Sequence, residues 1–180
     1  MTGGAAVAEQ RLRDGRAVEV RPLREDDEAG LAEFGASLRR DDWRYLDLDL
    51  QSPATVTRLV TAHAASNWRQ LVAVIDGRIV GYATVRQLPG WRSHVGDIHL
   101  VVSDTARGSG VGSMLAQNVL RCARDLGVEK LILEMIAEES AGKAIFEHLG
   151  FTLEGTLRAQ AKDESGQLHD LLLFGLVLDA

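Results

Sequence analysis

Apolar residues along the chain follow two spacings, which predict strands and helices in a defined order. Alternating or continuous apolar positions predict strands at residues 18–21, 71–75, 79–85, 95–102, 131–135, 152–161 and 168–178. Helical spacing predicts helices from Asp26 to about Arg39, from Pro53 to about Ser66, from Val111 to Leu126 and onward from Glu139. One strand, two helices, an antiparallel meander, two strand–helix units and a closing hairpin together predict a single α+β domain with a mixed sheet.

Turn residues and composition support these boundaries. Asp76-Gly77 separates two predicted strands and is a strong signal for a two-residue hairpin. Residues 1–15 are rich in Gly and Ala but lack the basic and apolar regions of a signal peptide. We therefore expect a flexible N-terminal segment over residues 1–15 and one domain over residues 16–180.

A glycine-rich turn joins the predicted strand that ends at Val102 to the helix that begins at Val111. The turn contains, in order, Arg107, Gly108, Ser109, Gly110, Val111, Gly112 and Ser113. Glycines let the backbone approach a ligand closely, and the first turn of a helix presents unpaired N–H groups at the positive end of its dipole. Together with the cation of Arg107, these features predict a site for phosphate or pyrophosphate.

Three kinds of phosphate loop fit this turn to different degrees. A Walker loop needs a lysine after its last glycine, whereas Ser113 follows Gly112 here. A dinucleotide-binding loop begins directly after its strand, whereas residues 103–106 intervene in this chain. The third pattern, Arg-x-x-Gly-x-Gly, is matched in full by Arg107, Gly110 and Gly112. In this respect the chain resembles the general N-acetyltransferase (GNAT) superfamily, whose members hold the pyrophosphate of acetyl-CoA in such a loop.

A second match follows the long helix. The strand at residues 131–135 leads to a short helix that begins at Glu139 and ends in Leu149-Gly150-Phe151, which resembles the second half of the GNAT pattern. The resemblance covers residues 17–179 and is specific over residues 98–151. It implies a GNAT-like fold, with a mixed, mostly antiparallel sheet flanked by helices. In that fold two central parallel strands splay apart and admit the cofactor arm between them.

The resemblance also implies how acetyl-CoA would be held. Its pyrophosphate would lie on residues 107–113, and the backbone of Leu100, Val101 and Val102 would bind the pantetheine arm and the thioester carbonyl. This role uses main-chain atoms, so it is compatible with side chains that are buried in an ordinary strand.

The short helix departs from the family at two positions assigned to the cofactor site. Glu139 replaces an asparagine that is common at the start of this helix, and Phe146 replaces a tyrosine that many members carry. Phenylalanine has no hydroxyl that can protonate a leaving thiolate. The sequence therefore supports cofactor binding more directly than it identifies a general acid.

Three residues are candidates for the general base. In a regular strand Asp97 and His99 share one face, and histidine has a reference pKa of about 6.5, suited to taking a proton at neutral pH. Asp97 or Glu134 are candidates to act through a water, and each of the three also fits a structural role. His169 and Asp170 in the last hairpin are candidates either for the acceptor side or for a solvated edge.

The composition and net charge of the chain limit the kinds of molecule that it is expected to bind. The net charge is −6 and no Lys/Arg-rich block offsets it, which argues against nucleic acid and suits an amine substrate. No apolar run approaches the length of a membrane span, no metal site is predicted, and the single Cys122 fits a core position in a reducing cytoplasm. Acceptor contacts or helix anchors are predicted at Trp43, Tyr45, Asp47 and Asp49.

The sequence therefore predicts an acetyl-CoA-dependent N-acetyltransferase that moves an acetyl group to a primary amine by direct attack. The acceptor would be a small molecule or a protein amine, and the exposed final hairpin is compatible with a homodimer. Two alternatives remain. A non-catalytic acyl-CoA-binding regulatory module is favoured by Phe146, and a nucleotide-binding α/β protein is disfavoured by the hairpin at Asp76-Gly77.

Overall fold

The architecture is that of a computed structural model, which describes residues 8–39 and 48–178. Its strands are β1 (Ala8–Arg11), β2 (Ala17–Pro22), β3 (Trp68–Ile75), β4 (Arg78–Gln87), β5 (Val95–Val102), β6 (Lys130–Ile136), β7 (Thr152–Lys162) and β8 (Leu168–Val177). Its helices are α1 (Glu28–Ser37), α2 (Pro53–Thr61), α3 (Val111–Asp125) and α4 (Ser140–His148). The predicted order of elements is confirmed from β2 onward.

The strands form one eight-stranded sheet in the order β1-β2-β3-β4-β5-β6-β8-β7. Strands β5 and β6 are parallel, and the other neighbouring pairs are antiparallel. Strands β7 and β8 form a hairpin in which β8 lies beside β6 and β7 lies at the edge. The predicted mixed, mostly antiparallel sheet is confirmed. Its antiparallel meander does not fit the parallel sheet that a nucleotide-binding α/β protein requires.

Helices cover both faces of the sheet, because successive strand residues point to opposite sides. On one face α3 and α4 bury a core that includes Leu115 of α3 and Ile98 of β5. On the other face α1 and α2 bury a second core that includes Phe34, Tyr82 and Val101. The middle strands are therefore apolar on both sides, and β5 contributes to both cores.

Local signals set several element ends. The Ser52 side chain accepts a hydrogen bond from the backbone N–H of Thr55 at 3.4 Å and caps α2, with Pro53 in its first turn. Asp76 and Gly77 have φ values of 50° and 76°, which is the left-handed backbone that a type I′ hairpin turn needs. The predicted β3–β4 hairpin is confirmed.

The N-terminal segment departs from the prediction. Ala8–Arg11, which fell in a segment expected to be flexible, forms β1 and pairs antiparallel with β2. Leu12 follows and is only 4% exposed, because it packs into the core beneath α3. Ordered structure in the described part of this segment therefore comes from sheet pairing and from burial of a single leucine.

Two helices are shorter than predicted. Helix α1 ends before Arg39 because Leu38 has an extended backbone with ψ of 140°. Helix α2 ends before Ser66 because residues 62–67 turn the chain into β3. Among the predicted acceptor residues, three lie outside the described residues: Trp43, Tyr45 and Asp47.

Cys122 lies in α3 and is buried, as the core interpretation predicts. Burial raises the pKa of its thiol, which keeps the sulfur protonated and unreactive near neutral pH. Within the described ranges, no helix combines the length and the apolar character needed to cross a membrane.

Candidate functional site

The two parallel strands diverge at the centre of the sheet. Pairing between β5 and β6 is confined to Val95–Asp97 opposite Lys130–Ile132. Beyond Asp97 the strands separate, while β5 stays paired with β4 up to Val102. The predicted splay of the two central strands is confirmed, and it opens a gap along the second half of β5.

The strand register determines which backbone groups face this gap. At the two ends of the β4–β5 ladder, Ser103 N–H donates to the carbonyl of Val80 and Leu88 N–H donates to the carbonyl of Val95, both at 2.9 Å. In an antiparallel pair the hydrogen-bonded positions alternate, so the odd-numbered residues of β5 face β4. The backbone groups of Leu100 and Val102 therefore face the gap, whereas those of Val101 face β4.

The glycine loop follows β5 after one 3-10 turn, Asp104–Ala106. Gly108 and Gly110 have φ values of 73° and 104°, a backbone conformation that residues with a Cβ rarely adopt. A Cβ built on either glycine meets nothing within 4 Å. Their role is thus to shape the loop and leave open space beside it.

The N-terminus of α3 has backbone N–H groups without partners in the helix. Its first helical hydrogen bond runs from Met114 N–H to the Gly110 carbonyl at 3.1 Å, so the N–H groups of residues 111–113 have no partner within the helix. No side chain caps this end, whereas Ser52 caps α2 and Glu139 caps α4. The three donors and the helix dipole favour an anion here.

Gly112 serves a different purpose from the loop glycines. A Cβ at this position would lie 3.2 Å from Cδ1 of Ile145 in α4 and 3.7 Å from Cγ2 of Val102. The missing side chain thus lets α3 and α4 approach each other at the mouth of the gap.

Arg107 is held at the rim of the loop. Its Nε donates to the Val102 carbonyl at 3.2 Å, and its Nη1 forms an ion pair with Asp104. Asp104 also pairs with Arg39 at 3.2 Å, and the Arg107 side chain is 36% exposed. The guanidinium is therefore positioned beside the α3 N-terminus, with part of its charge already compensated.

One cavity of about 380 Å³ joins the α3 N-terminus to the gap between β5 and β6. Its lining includes twelve of the fifteen predicted site residues: His99, Leu100, Val101, Val102, Arg107, Gly108, Gly110, Gly112, Ser113, Glu134, Glu139 and Phe146. Ser109 and Val111 are not on the wall. Ser109 is buried and its Oγ donates to the Ala106 carbonyl at 2.6 Å, while Val111 is fully buried in the core.

The candidate base residues lie on one face of the sheet, on the side of α1 and α2. His99 Nε2 lies 3.3 Å from Oδ2 of Asp97, and the His99 side chain is 25% exposed. Asp97 does not line the cavity itself, but it contacts His99, which does. Glu134 of β6 is exposed and lines the same cavity from the opposite strand. His99 and Glu134 thus flank the gap from its two sides.

The two departures from the family pattern have clear structural consequences. Oε1 of Glu139 accepts hydrogen bonds from the N–H groups of Ala141 at 3.0 Å and Gly142 at 3.1 Å, so this carboxylate caps α4. Phe146 is buried and packs edge-to-face on Phe151, with ring centroids 5.3 Å apart. Neither side chain provides a hydroxyl at the cavity wall.

The other candidates for the acceptor side have structural partners. His169 is 6% exposed, with Nε2 3.1 Å from Asp163 and Nδ1 3.4 Å from Glu138. Oδ1 of Asp170 accepts from the N–H of Ala159 at 2.7 Å, within the irregular stretch of β7. His169 is thus buried between two carboxylates rather than lying on a solvated edge.

Asp49, the described member of the predicted acceptor loop, stabilises a local turn. Its Oδ1 accepts from Gln51 N–H at 3.0 Å, and its carbonyl accepts from Ser52 N–H at 3.2 Å.

Sequence reasoning missed several cavity residues. The apolar wall is completed by Ile98, Ala106, Leu133, Met135, Ala141, Gly142 and Ile145. Leu133 and Met135 alternate with Glu134, so the strand period could have placed them on the α4 side of the gap. Arg13 also lines the cavity, although it lies in the segment expected to be flexible. No local signal in the sequence links Arg13 to the glycine loop.

Comparisons with known proteins bear on this site. The profile of the Acetyltransferase (GNAT) family matches residues 33–151. The L-amino acid N-acetyltransferase AaaT of Escherichia coli (strain K12) is 35% identical over 91 residues, which are 49% of this chain and 56% of that protein. The chain spans about half the length of the curated relatives it matches.

Solved structures share the fold. Ribosomal-protein-alanine N-acetyltransferase from Brucella melitensis is 25% identical with a TM-score of 0.77, over 88% of this chain and 99% of that one. A Salmonella typhimurium protein solved with its cofactor acetyl-CoA is 19% identical with a TM-score of 0.78, over 90% and 94% of the two chains. Because the family profile matches more than half of the chain and the fold agrees, the protein belongs to the GNAT acetyltransferase family.

Proposed function

We propose that this protein is an acetyl-CoA-dependent N-acetyltransferase that transfers the acetyl group to a primary amine by direct attack. The observation that carries the proposal is a cavity that joins an uncapped helix N-terminus to a gap between parallel strands. One end offers N–H donors for a pyrophosphate, and the other offers a narrow, apolar passage for a thioester arm. The residues present therefore fit the donor molecule that the family uses.

Donor binding would rest on the backbone. The N–H groups of residues 111–113 and the Arg107 guanidinium would bind the pyrophosphate, since oriented N–H donors and a helix dipole favour phosphate charge. Leu100 presents its backbone toward the gap, where its N–H would donate to the thioester carbonyl. A preoriented donor at that oxygen also stabilises the negative charge that develops during acyl transfer.

The acceptor would reach the thioester from the α1–α2 side, where His99 lies. A neutral amine nitrogen bonds to the acetyl carbon, the carbon–sulfur bond breaks, and sulfur leaves with the electron pair. The proton released by the nitrogen passes to His99 and then to solvent, and the thiolate takes a proton from water. Asp97, 3.3 Å from His99 Nε2, would orient the ring and stabilise its charged form.

Departure of the thiolate would need no dedicated acid. Phe146 has no proton to donate, and a thiolate is a weak base compared with an alkoxide or an amide anion. We therefore expect kcat/KM to rise with pH as the base and the acceptor amine lose their protons, with no fall at alkaline pH from a general acid of the enzyme.

The acceptor is to be identified by screening amines that differ in the chemical groups around the nitrogen. One relative is described as an L-amino acid N-acetyltransferase, and a structural neighbour as acting on a ribosomal-protein alanine. Free amino acids and peptides with a free N-terminus are therefore the first acceptors to screen, alongside simple primary amines. The net charge of −6 favours cationic acceptors.

Calorimetric titration with acetyl-CoA tests the donor assignment, with NADH and ATP as control ligands. Saturable binding of acetyl-CoA alone supports it, and binding of NADH or ATP instead refutes it. The variant Gly110→Asp should lower acetyl-CoA affinity at least about tenfold, because its carboxylate competes for the N–H donors and repels phosphate. Gly166→Asp is the matched control, since Gly166 also has positive φ (87°) and open space around it.

A non-catalytic acyl-CoA-binding module is the second candidate, and Phe146 is the observation that favours it. Both functions predict binding, so turnover separates them. Thiol release from acetyl-CoA that depends on an added amine supports the enzyme. Tight binding with no amine-dependent thiol release, across the acceptor screen, supports the binding module.

A further inference from the structure

The turn between β1 and β2 rests directly on the glycine loop. Within this turn the Leu12 N–H donates to the Arg16 carbonyl at 2.9 Å, and the Gly15 N–H donates to the Leu12 carbonyl at 3.0 Å. The buried Leu12 side chain anchors the turn in the core. The backbone N–H of Arg13 then donates to the Ser109 carbonyl at 3.3 Å. Three backbone hydrogen bonds and one buried side chain therefore fix the position of Arg13 beside the loop.

Arg13 is exposed and lines the same cavity as Arg107 and the loop glycines. Its neighbours in the turn are already engaged, because Arg16 pairs with Asp14 at 2.6 Å and Arg11 donates to the Gly15 carbonyl at 3.2 Å. Among the residues that the structure describes, none forms a salt bridge with Arg13. The cavity wall thus carries a second cation, and unlike Arg107 this one is not compensated by Asp104.

We infer that Arg13 binds a phosphate group of the acyl-CoA donor, so that the β1–β2 turn is part of the cofactor site. This inference rests on the proposed function, since it assumes a donor with phosphates on the glycine loop. The planar guanidinium fork suits phosphate oxygens, which it binds through two parallel hydrogen bonds. Arg13 lies outside the 33–151 region that the family profile matches, so the profile does not assign this contact.

The shape of the site explains why an arginine is useful here. The N–H donors would come from residues 111–113 of α3, whereas the Arg13 guanidinium would come from the β1–β2 turn, which contacts the loop at Ser109. The pyrophosphate and the ribose phosphate of the donor both present phosphate oxygens, so either would accept hydrogen bonds from the Arg13 guanidinium.

The test compares Arg13→Ala and Arg13→Lys with Arg78→Ala as the matched control. Arg78 is an exposed arginine at the start of β4, and it is not on the cavity wall. Acetyl-CoA and 3′-dephospho-CoA are titrated into each protein, and thermal unfolding verifies the fold. Arg13→Ala should weaken acetyl-CoA binding about 5- to 30-fold, Arg13→Lys less, and Arg78→Ala less than about twofold.

The two ligands separate the phosphates. If Arg13→Ala weakens acetyl-CoA but leaves 3′-dephospho-CoA unaffected, Arg13 binds the ribose phosphate; if both weaken equally, it binds the pyrophosphate. Either result supports the inference. Unchanged acetyl-CoA affinity in Arg13→Ala overturns the inference and leaves the proposed function intact. An equal loss of affinity in Arg78→Ala does the same, because it would show that removing a positive charge anywhere on the protein weakens binding. Failure of the unmodified protein to bind acetyl-CoA overturns both proposals.

Discussion

A buried ion pair joins β2 to the start of α1, and its removal should destabilise the fold. The two Arg21 guanidinium nitrogens, Nη1 and Nη2, donate to the two oxygens of Asp27 at 2.7 Å each. Asp27 also accepts from the backbone N–H of Arg24 at 2.8 Å. Both side chains of the pair are about nine-tenths buried. We predict that Asp27→Asn strongly lowers the free energy of unfolding.

The magnitude follows from what the substitution leaves behind. Asparagine keeps one acceptor, but its NH2 group faces a guanidinium that also donates, so Arg21 loses its bidentate partner and stays largely buried. Breaking a buried pair in this way costs about 3–5 kcal/mol, and the edge-of-core position of this pair favours the lower figure. For a domain of this size about 3 kcal/mol corresponds to a fall in Tm of about 6–12 °C.

Urea unfolding with matched controls measures this effect. The control is Asp14→Asn, because Asp14 forms a similar contact with Arg16 at 2.6 Å but both side chains are about 40% exposed. We expect the control to unfold close to the unmodified protein. Equal unfolding midpoints for Asp27→Asn and Asp14→Asn would show that burial of the pair does not contribute as argued.

The pH dependence provides a second check. Burial alone would raise the pKa of Asp27, but the hydrogen bonds from Arg21 and from the Arg24 backbone outweigh it and hold the pKa below its ordinary value. The stabilisation is therefore present above the unfolded pKa of about 3.9 and is lost as pH falls through the folded value. The stability difference between the protein and Asp27→Asn should be constant from about pH 5 to 8 and should shrink below about pH 4.

Three further predictions concern packing, capping and a histidine. Gly81→Ala should lower stability by about 1–3 kcal/mol in urea unfolding, because its Cβ would lie 2.8 Å from Cδ1 of Leu115. Glu139→Ala should lower the free energy of unfolding by about 1 kcal/mol in urea unfolding, because it removes the α4 cap. The hydrogen bond to Asp163 raises the pKa of His169, so its stabilising effect is complete below about pH 6.5 and is lost as pH rises through the folded pKa. His169→Gln should flatten that alkaline limb in thermal unfolding scans.

The elements and the loop motif were predictable because their causes are local. The β3–β4 hairpin depends on Asp76-Gly77, whose positive φ values are a property of two adjacent residues. The strand before the glycine loop was predicted with its observed bounds, Val95–Val102, because its mostly apolar residues lie between the turn at Pro89-Gly90 and the glycine loop. Helix α3 likewise begins at the predicted Val111.

The assignments that could not be made from sequence depend on partners far along the chain. His169 had no local feature to distinguish burial from exposure. Its contact with Asp163 forms within the β7–β8 hairpin, but its contact with Glu138 forms only when β8 lies beside β6. Arg13 reached the candidate site only because β1 pairs with β2 and Leu12 enters the core.

Residue patterns alone predicted the order of strands and helices, the glycine loop at a helix N-terminus, and the family to which the chain belongs. These features follow from residue spacing and from backbone preferences, which act over a few neighbouring positions. The separation of β5 and β6 after Asp97, the direction of the Leu100 backbone toward the gap, and the place of Arg13 on the cavity wall depend on the assembled sheet. The physical reason is that a gap or a cavity is made by elements that fail to pair or that meet across the sheet, and no single segment contains that information.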